Sequence, residues 1–215
     1  LHAVLGVTGS VATVKYAQLA NALSKIVDVR VVATASAKHM MGVARDYDAE
    51  GAAAFEASGI EVLTDVDEWK DYARVGRDPV VHIELRKWAD IVIVAPLSAN
   101  TLAKVATGQC DNLLTCMLRV WDPDTPVVVA PAMNTKMWDH PITAKQLGTL
   151  QEWGVRVVWP VSKLLACGDT GVGAMAAVDD IVGVVSAVAA DLAAARSRRG
   201  GGAAAGGAGS GDAGE

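Results

Sequence analysis

Short runs of branched apolar residues, separated by helix-forming segments, constrain the fold of this sequence more than any other feature. The runs occupy residues 3–7, 29–33, 91–95, 127–130 and 155–158. Helical periodicity is present at residues 9–25, 99–107, 112–121, 143–153 and 179–195. Continuous valine and isoleucine runs of this length are typical of parallel strands buried on both faces. The sequence therefore predicts an α/β fold, a Rossmann-like, doubly wound parallel sheet flanked by helices.

The sequence is long enough for one such domain, and its composition changes near the end. The chain has 215 residues, 52% of them hydrophobic, which suffices for one α/β core but not for two. From residue 197 the sequence SRRGGGAAAGGAGSGDAGE has no large apolar side chain to bury. We therefore predict a folded domain at residues 1–196 and a disordered Gly/Ala-rich tail at residues 197–215.

Charge and cysteine content exclude several classes of partner. The formal net charge of -5 gives no general attraction to nucleic acid or to anionic lipid. The three cysteines lack metal-ligand spacing, and so small and odd a number favours a reducing compartment. No run reaches the roughly 18 apolar residues of a membrane span, and no basic-then-apolar leader precedes the first strand. We expect a cytoplasmic protein that binds no nucleic acid, membrane or metal.

Two polar loops follow predicted strands, at the edge of the sheet where ligands bind. The loop at residues 6–10 (GVTGS) leads into a helix, so its N–H groups can face an anion. It lacks the GxGxxG pattern of dinucleotide sites, which favours a mononucleotide phosphate over NAD. In the loop at residues 95–101 (APLSANT), Pro96 ends a strand, and Ser98 and Asn100 begin a helix. The same residues could equally form a tight turn and an ordinary helix N-cap.

A third loop, at residues 131–138 (PAMNTKMW), combines soft apolar side chains with one amide. Met133, Met137 and Trp138 suit packing around a flat ring, while Asn134 can both donate and accept hydrogen bonds. Core packing is an equal alternative for the first three residues, and helix capping is an equal alternative for Asn134.

Two further residues could transfer protons. His82 follows Pro79 just ahead of a predicted helix, and of the four histidines it is the best placed to act near neutral pH. A structural role for it remains open. Residues 166–175 (ACGDTGVGAM) form a glycine-rich loop suited to a mobile lid, on which Cys167 could be a proton donor or nucleophile. Alternatively, the glycines make turns and Cys167 is small and buried.

Six segments together resemble the homo-oligomeric flavin-containing cysteine decarboxylases, specifically their eukaryotic phosphopantothenoylcysteine decarboxylase branch. They occur in that family's order and span most of residues 1–180. The segments are GVTGSVA at 6–12, HIELRKWAD at 82–90, APLSANT at 95–101, CDNLLTC at 110–116, PAMNTKMW at 131–138 and ACGDTGVGAM at 166–175. One such segment is weak support, whereas six in order are strong support.

The resemblance implies a homotrimer with FMN bound near the subunit contacts, and it implies a role for each matching residue. The residues expected to contact FMN are Gly9, Ser10, Val11, Thr34, Ser36, Ser98, Ala99, Asn100, Thr101 and Ala132. Asn134 is expected to hold the carboxylate of the substrate's cysteine unit. The other residues expected to contact substrate are Met137, Lys163, Leu164, Leu165 and Ala166. His82 and Cys167 are the expected catalytic acid/base residues.

The reaction that the resemblance implies is decarboxylation of 4′-phosphopantothenoylcysteine to 4′-phosphopantetheine in coenzyme A biosynthesis. Loss of CO₂ from a cysteine unit leaves a carbanion that needs an electron sink, and FMN can create one by oxidising CH₂–SH to a thioaldehyde. Decarboxylation then gives an enethiolate. Return of a hydride from reduced FMN and of a proton from Cys167 makes the reaction redox-neutral.

Three other functions are compatible with parts of the sequence. An oxidative peptidyl-cysteine decarboxylase would stop at the enethiol, and a Cys167 placed to complete the reduction argues against it. A prenyl transferase that acts on flavin shares the expected architecture, but the PAMNTKMW segment and Cys167 argue against that function. A regulatory, inhibitory subunit of a protein phosphatase would carry a long acidic tail, whereas this tail has only Asp212 and Glu215 as acids.

Overall fold

A computed structural model describes residues 1–164 and 170–204, and its framework is one parallel sheet accompanied by a small antiparallel hairpin. The strands of the sheet are β1 (His2–Val7), β2 (Asp28–Ala33), β3 (Val62–Leu63), β4 (Ile91–Leu97), β5 (Val127–Pro131) and β6 (Arg156–Val157). The hairpin consists of β7 (Val161–Leu164) and β8 (Thr170–Ala174). Parallel neighbours follow the order β3-β2-β1-β4-β5-β6, the order of a Rossmann fold. The predicted fold class is confirmed.

Helices cover both faces of the sheet. The α-helices are α1 (Tyr16–Leu23), α2 (Ala35–Tyr47), α3 (Ala49–Ser58), α4 (Val81–Trp88), α5 (Ala99–Thr107), α6 (Leu113–Arg119), α7 (Thr135–Trp138), α8 (Pro141–Glu152) and α9 (Val178–Ala204). A 3₁₀ helix, Val11–Lys15, precedes α1. The bounds predicted for α5 are confirmed, because Ser98 caps its start and Gly108, with a φ of 75°, ends it. The sequence patterns miss α2 and α3, whose buried side chains are mostly alanines.

Alternate residues of the strands divide the core into two layers, because successive side chains of a strand point to opposite faces. On one face, Leu5 and its neighbours pack against α1, α2, α3 and α9. On the other face, Val4 and Val92 pack against α4, α5, α6 and α8. All seven residues of β4 are buried, as expected for a central strand. This arrangement leaves the carboxyl ends of β1, β4 and β5 together at one edge.

Two predicted boundaries are wrong. Pro96 does not end its strand, because β4 continues to Leu97. The pairing of β4 with β5 shifts register between Val94 and Leu97, so no ladder hydrogen bond is required from Pro96, which has no N–H. Leu97 then pairs with Pro131, and its carbonyl accepts a hydrogen bond from the N–H of Ala132 at 3.0 Å. The closing helix, expected to end near residue 195, extends to residue 204. Residues 193–199 are mostly alanine and arginine, which are strong helix formers, and extending an existing helix needs no new nucleus, which offsets part of the cost of the three glycines at 200–202.

This longer helix changes the prediction for the tail. Residues 197–204, which were expected to be disordered, belong to α9. The remainder of the predicted tail, residues 205–215, lies outside the described residues.

Contacts with Asp90 connect three parts of the chain at the edge of the sheet where the strands begin. The backbone N–H of His2 donates to a carboxylate oxygen of Asp90 at 2.9 Å, and the guanidinium of Arg196 donates to the other oxygen. The His2 ring also stacks on Trp88, with the ring centroids 4.7 Å apart. The start of β1, the loop before β4 and the second half of α9 therefore meet here.

Candidate active site

A cavity of about 730 Å³ opens at the carboxyl ends of β1, β4 and β5. Cavities of roughly 300–1,000 Å³ are typical of ligand sites, and doubly wound sheets bind ligands at this edge. Nine residues expected to contact cofactor or substrate line it: Gly9, Ser10, Val11, Ser98, Ala99, Asn100, Ala132, Asn134 and Met137. The fold thus brings together residues that are far apart in the sequence.

The turn at Gly9 and Ser10 forms one wall of the cavity. A Cβ on Gly9 would lie 2.4 Å from the Cβ of Ser36, so glycine is needed for this close approach to α2. Ser10 caps the 3₁₀ helix: its hydroxyl accepts from the N–H of Ala12 at 3.3 Å, and its own N–H donates to the Thr13 hydroxyl at 3.4 Å. Because both bonds are long, these N–H groups can be redirected to an anionic ligand at small cost.

A buried threonine, Thr8, connects the ends of β1 and β4. Its hydroxyl donates to the carbonyl of Pro96 at 2.7 Å and accepts from the N–H of Ser98 at 2.8 Å. The Ser98 hydroxyl in turn accepts from the N–H of Thr101 at 3.3 Å and caps α5. Ser98 is therefore both a cap and a lining residue. Sequence reasoning missed Thr8, because its partners are 88 and 90 positions away.

Asn134 also has two roles. Its side-chain oxygen accepts a hydrogen bond from the N–H of Lys136 at 2.8 Å, which caps α7, and the residue lines the cavity. An amide carries two N–H donors besides this acceptor, which is the polarity that a carboxylate requires. Met133, which is buried, and Met137, which is largely exposed, line the cavity beside it. Trp138 instead packs against the core.

The hairpin closes another side of the cavity. Val161, Gly173, Ala174 and Met175 line it. The carbonyl of Gly173 accepts a hydrogen bond from the N–H of Met133 at 2.9 Å, and a Cβ on Gly173 would lie only 2.3 Å from the Met133 carbonyl oxygen. The glycine-rich segment predicted as a loop is thus a strand from residue 170 to residue 174, because this contact and the pairing with β7 hold it extended.

The lining fits FMN. Methionine side chains suit a flat ring, while the hydroxyls of Ser10 and Ser98 and the amide of Asn100 suit phosphate and ring oxygens. A recess of about 390 Å³ extends the site towards α2 and is lined by Gly9, Ser10, Val11, Ser36, His39 and Met40. Lys15, which sequence reasoning did not select, is the one cation among the described residues that line the main cavity. Neutral donors therefore outnumber charges at this site.

His82 lies apart from this cavity and from the recess. It occupies the first turn of α4, and its Nδ1 is 2.5 Å from a carboxylate oxygen of Glu68. Within one chain, the structure therefore does not bring His82 together with Asn134. Sequence reasoning missed Glu68, since it precedes His82 by 14 positions in a segment without a periodic pattern.

The remaining predicted residues lie beside the cavity or outside the described part of the chain. Thr34 caps the start of α2, Ser36 lines the recess, and Thr101 is buried behind Ser98. Lys163 and Leu164 belong to β7, and their side chains are not described. Leu165, Ala166 and Cys167 lie outside the described residues.

Residues 1–164 and 170–204 contain neither a metal centre nor a helix able to span a membrane. No group of three or more His, Cys, Asp or Glu side chains in these ranges could hold a metal ion. No helix in them combines the length and the apolar character needed to cross a membrane. Cys110 and Cys116 are free thiols, and burial, followed by the charges of Cys110 and Glu68, raises the pKa of Cys116.

Comparison with known proteins gives relatives for nearly the whole domain. The model of the Flavoprotein family matches residues 1–190. Phosphopantothenoylcysteine decarboxylase of Oryza sativa subsp. japonica is 49% identical over 172 residues, which are 80% of this chain and 73% of the relative. The enzyme of that name from Mus musculus is 47% identical over 186 residues, 86% of this chain and 85% of the relative.

Two solved structures have the same fold. A PPC decarboxylase, in a cysteine-to-serine mutant complexed with pantothenoylaminoethenethiol, has a TM-score of 0.76 and 43% identity. The match covers 86% of this chain and 95% of that chain. The FMN binding protein AtHal3 has a TM-score of 0.74 and 44% identity, and the match covers 86% of this chain and 94% of that chain.

Proposed function

The chain belongs to the Flavoprotein family, and from this premise we propose that it decarboxylates 4′-phosphopantothenoylcysteine to 4′-phosphopantetheine with FMN as cofactor. This carboxy-lyase reaction is a step in coenzyme A biosynthesis. The observation that carries the proposal is the cavity that gathers the predicted cofactor and substrate residues at one edge of the sheet. The decarboxylases of Oryza sativa and Mus musculus, at 49% and 47% identity, support the same substrate.

FMN, when bound, supplies the two-electron oxidant that converts the CH₂–SH group of the substrate to a thioaldehyde, and it later returns both electrons. The chain's part is to hold and orient the reactants. The turn at Gly9 and Ser10 and the start of α5 at Ser98 provide N–H and hydroxyl donors for the phosphate. Met133 and Met137 provide the apolar surface for the ring.

Asn134 holds the carboxylate that is lost as CO₂. A lysine or arginine at this position would stabilise the ionised substrate strongly and would lose that attraction as neutral CO₂ forms. A neutral amide orients the carboxylate at a smaller cost to the transition state, since only interactions stronger in the transition state accelerate a reaction. The cap bond to Lys136 holds the side chain in place for this purpose.

Cys167 supplies the proton that completes the reductive half of the reaction. A thiol with a pKa near 8.5 is a far better proton donor than an alcohol. The structure of a cysteine-to-serine mutant PPC decarboxylase with a bound enethiol supports this role, because an enethiol is the compound expected to remain when the protonation step fails.

A homotrimer would complete the site. In one chain His82 lies outside the cavity, whereas three apolar side chains near Glu68 are exposed, namely Val66, Trp69 and Val75. Exposed apolar side chains on the segment that carries the partner of a catalytic residue are consistent with a protein interface there. We expect this surface to pack on a neighbouring subunit of a cytoplasmic homotrimer, so that the His82 of one subunit serves the cavity of the next.

The absorbance spectrum and one turnover experiment test the function. The purified protein should be yellow, and released cofactor should chromatograph as FMN. With 4′-phosphopantothenoylcysteine, it should form CO₂ and 4′-phosphopantetheine and end with oxidised flavin. An enethiol product with permanently reduced flavin would instead indicate an oxidative decarboxylase. No product from flavin-loaded protein would refute the proposed function.

Two substitutions test the proposed roles separately. Cys167→Ser should bleach the flavin once and accumulate a product that lacks two hydrogens relative to 4′-phosphopantetheine, as mass spectrometry would detect. Trp69→Asp should convert the trimer to smaller species in light scattering and abolish turnover. Normal turnover by a Trp69→Asp monomer would exclude a site shared between subunits.

A further inference from the structure

Glu68 and the predicted catalytic residue His82 form a short contact between two ionisable side chains. The Nδ1 atom of His82 is 2.5 Å from Oε1 of Glu68. The Glu68 side chain is only 7% exposed and that of His82 is 19% exposed. A carboxylate is rarely buried without a partner, and here the histidine is that partner.

The chain holds Glu68 in place through the turn that precedes it. The carboxylate of Asp67 accepts hydrogen bonds from both the N–H and the hydroxyl of Thr64, each at 2.8 Å. The carboxylate of Asp65 accepts a bond from the N–H of Leu113 at 2.9 Å, which ties the turn to the start of α6. Glu68 therefore approaches His82 from a fixed backbone, while α4 holds the histidine.

This geometry selects one form of the imidazole ring. A carboxylate can only accept, so Nδ1 must carry the proton of this hydrogen bond. In a neutral ring, Nε2 then has a lone pair and can act as a base. Among the described residues, no hydrogen bond is formed to Nε2. A buried carboxylate that fixes the tautomer and orientation of a catalytic histidine in this way is known from other enzymes.

The second oxygen of Glu68 points to the same role. Oε2 is buried and has no hydrogen-bond partner among the described residues, an arrangement that costs free energy. The thiol of Cys116 in α6 is close enough for Glu68 to contribute to its raised pKa, after burial and Cys110, and it remains neutral. The imidazole of His82 is therefore the one side chain among the described residues that hydrogen-bonds to the Glu68 carboxylate.

We propose that Glu68 is a positioning residue that prepares His82 as the base of the oxidative half-reaction. Oxidation of CH₂–SH to a thioaldehyde removes two hydrogens. One leaves as a hydride to the flavin with both electrons, and the other leaves as a proton, which Nε2 of His82 accepts. The role rests on the proposed function, because it acts through a catalytic His82.

Two measurements on the flavin-loaded full chain test this role, and neither is a steady-state rate. Nitrogen NMR of labelled histidines, with His82→Asn to assign the signal, reports which ring nitrogen carries the proton. Single-turnover bleaching of the flavin by substrate reports the oxidative half alone. The variant is Glu68→Gln, which keeps the shape of the side chain but can donate to Nδ1. The matched control is Glu84→Gln. Glu84 is an exposed acid on α4, the helix that carries His82, and it pairs with Lys87 at 2.8 Å.

The wild-type protein should show His82 protonated at Nδ1. Glu68→Gln should lose this signature and bleach about 10- to 100-fold more slowly, by analogy with metal-binding histidines that lose their hydrogen-bond partner, with flavin content unchanged. Glu84→Gln should match the wild type in both measurements.

Three results would overturn the proposal. Nδ1 without a proton in the wild type contradicts it even if Glu68→Gln fails to fold. Wild-type bleaching by Glu68→Gln removes the role of Glu68 and leaves the proposed function intact. Absence of bleaching in the wild type refutes the proposed function itself.

Discussion

The cavity and the Glu68–His82 region lie along the same edge of the sheet, yet different contacts maintain them. Close backbone packing at Gly9 and Gly173 shapes the cavity, and uncharged caps such as Ser98 position its side chains. Ionised side chains hold the Glu68–His82 region, in which Asp67 binds Thr64 and Asp78 binds Arg74. We expect the cavity to be sensitive to side-chain volume and the other region to be sensitive to protonation.

This difference corresponds to what each region is proposed to do. A flat ring and a carboxylate need a wall of constant shape, which backbone and neutral caps supply. Proton transfer needs a histidine whose partner is charged. Two glycines illustrate this difference between the regions. Gly76, in the segment that follows Glu68, has a φ of 72°, but a Cβ there would meet nothing within 4 Å. A Cβ on Gly173, in the wall of the cavity, would collide with the Met133 carbonyl group.

The largest effect is expected from Gly173→Ala. The new Cβ would lie 2.3 Å from the Met133 carbonyl oxygen at a φ of 146°, so β8 or the loop after β5 must move. We expect a loss of about 3 kcal/mol in the free energy of unfolding and the loss of bound flavin. Gly183→Ala, in an exposed position of α9 with nothing within 4 Å, should be neutral or stabilising by up to about 1 kcal/mol. Denaturant unfolding measures the stability of both variants. Equal stabilities would contradict the close packing of Gly173 against Met133 in the cavity wall.

Asn134→Asp should have the next largest effect, and it should act on substrate alone. Aspartate is as good an N-cap as asparagine, so α7 and the flavin site should persist. The added charge faces the substrate carboxylate, and we expect binding to weaken by about 2.5 kcal/mol, or roughly 60-fold. Titration of the oxidised flavin spectrum with substrate measures this. Asn134→Ser, which retains a cap without a charge, separates repulsion from the loss of the amide.

Thr8→Val tests whether uncharged hydrogen bonds hold the cavity. The substitution keeps the volume of the side chain but leaves the Pro96 carbonyl and the Ser98 N–H without their partner. Leaving buried polar groups unpaired costs roughly 1–3 kcal/mol, and we expect about 2 kcal/mol. Thr107→Val, at an exposed hydroxyl of α5, should stay within about 0.5 kcal/mol of the wild type.

The smallest effect is a local response to acid in the Glu68–His82 region. Hydrogen bonds from Thr64 lower the pKa of Asp67, and hydrogen bonds from Arg74 and Ala73 lower the pKa of Asp78. A lowered pKa contributes stability that is complete above the unfolded value, about 3.9, and is lost as the pH falls through the folded value. Below about pH 4, pepsin should therefore cut within residues 64–79 before it cuts the sheet. Asp67→Asn should make residues 64–79 easier to cleave already at neutral pH. If pepsin cuts this segment and the sheet at the same rate, the two regions do not differ in their sensitivity to protonation.

The two regions also differ in how far the sequence predicts them. Buried parallel strands produce recognisable apolar runs, and caps such as Ser98 lie next to the helix that they begin, so most of the sheet and much of the cavity could be predicted. Thr8 and Glu68 could not, because each matters through a partner far along the chain. His82 was identified as a residue type suited to proton transfer, but its partner and tautomer depend on tertiary structure.

The contacts of Asp90 with His2 and Arg196 have a consequence for protein engineering. They hold the start of β1 and the late part of α9 at the edge of the sheet away from the cavity. A purification tag or a fluorescent reporter joined ahead of β1 would therefore attach at the edge of the sheet away from the cavity. A fusion at that junction would not compete with the ligand for space.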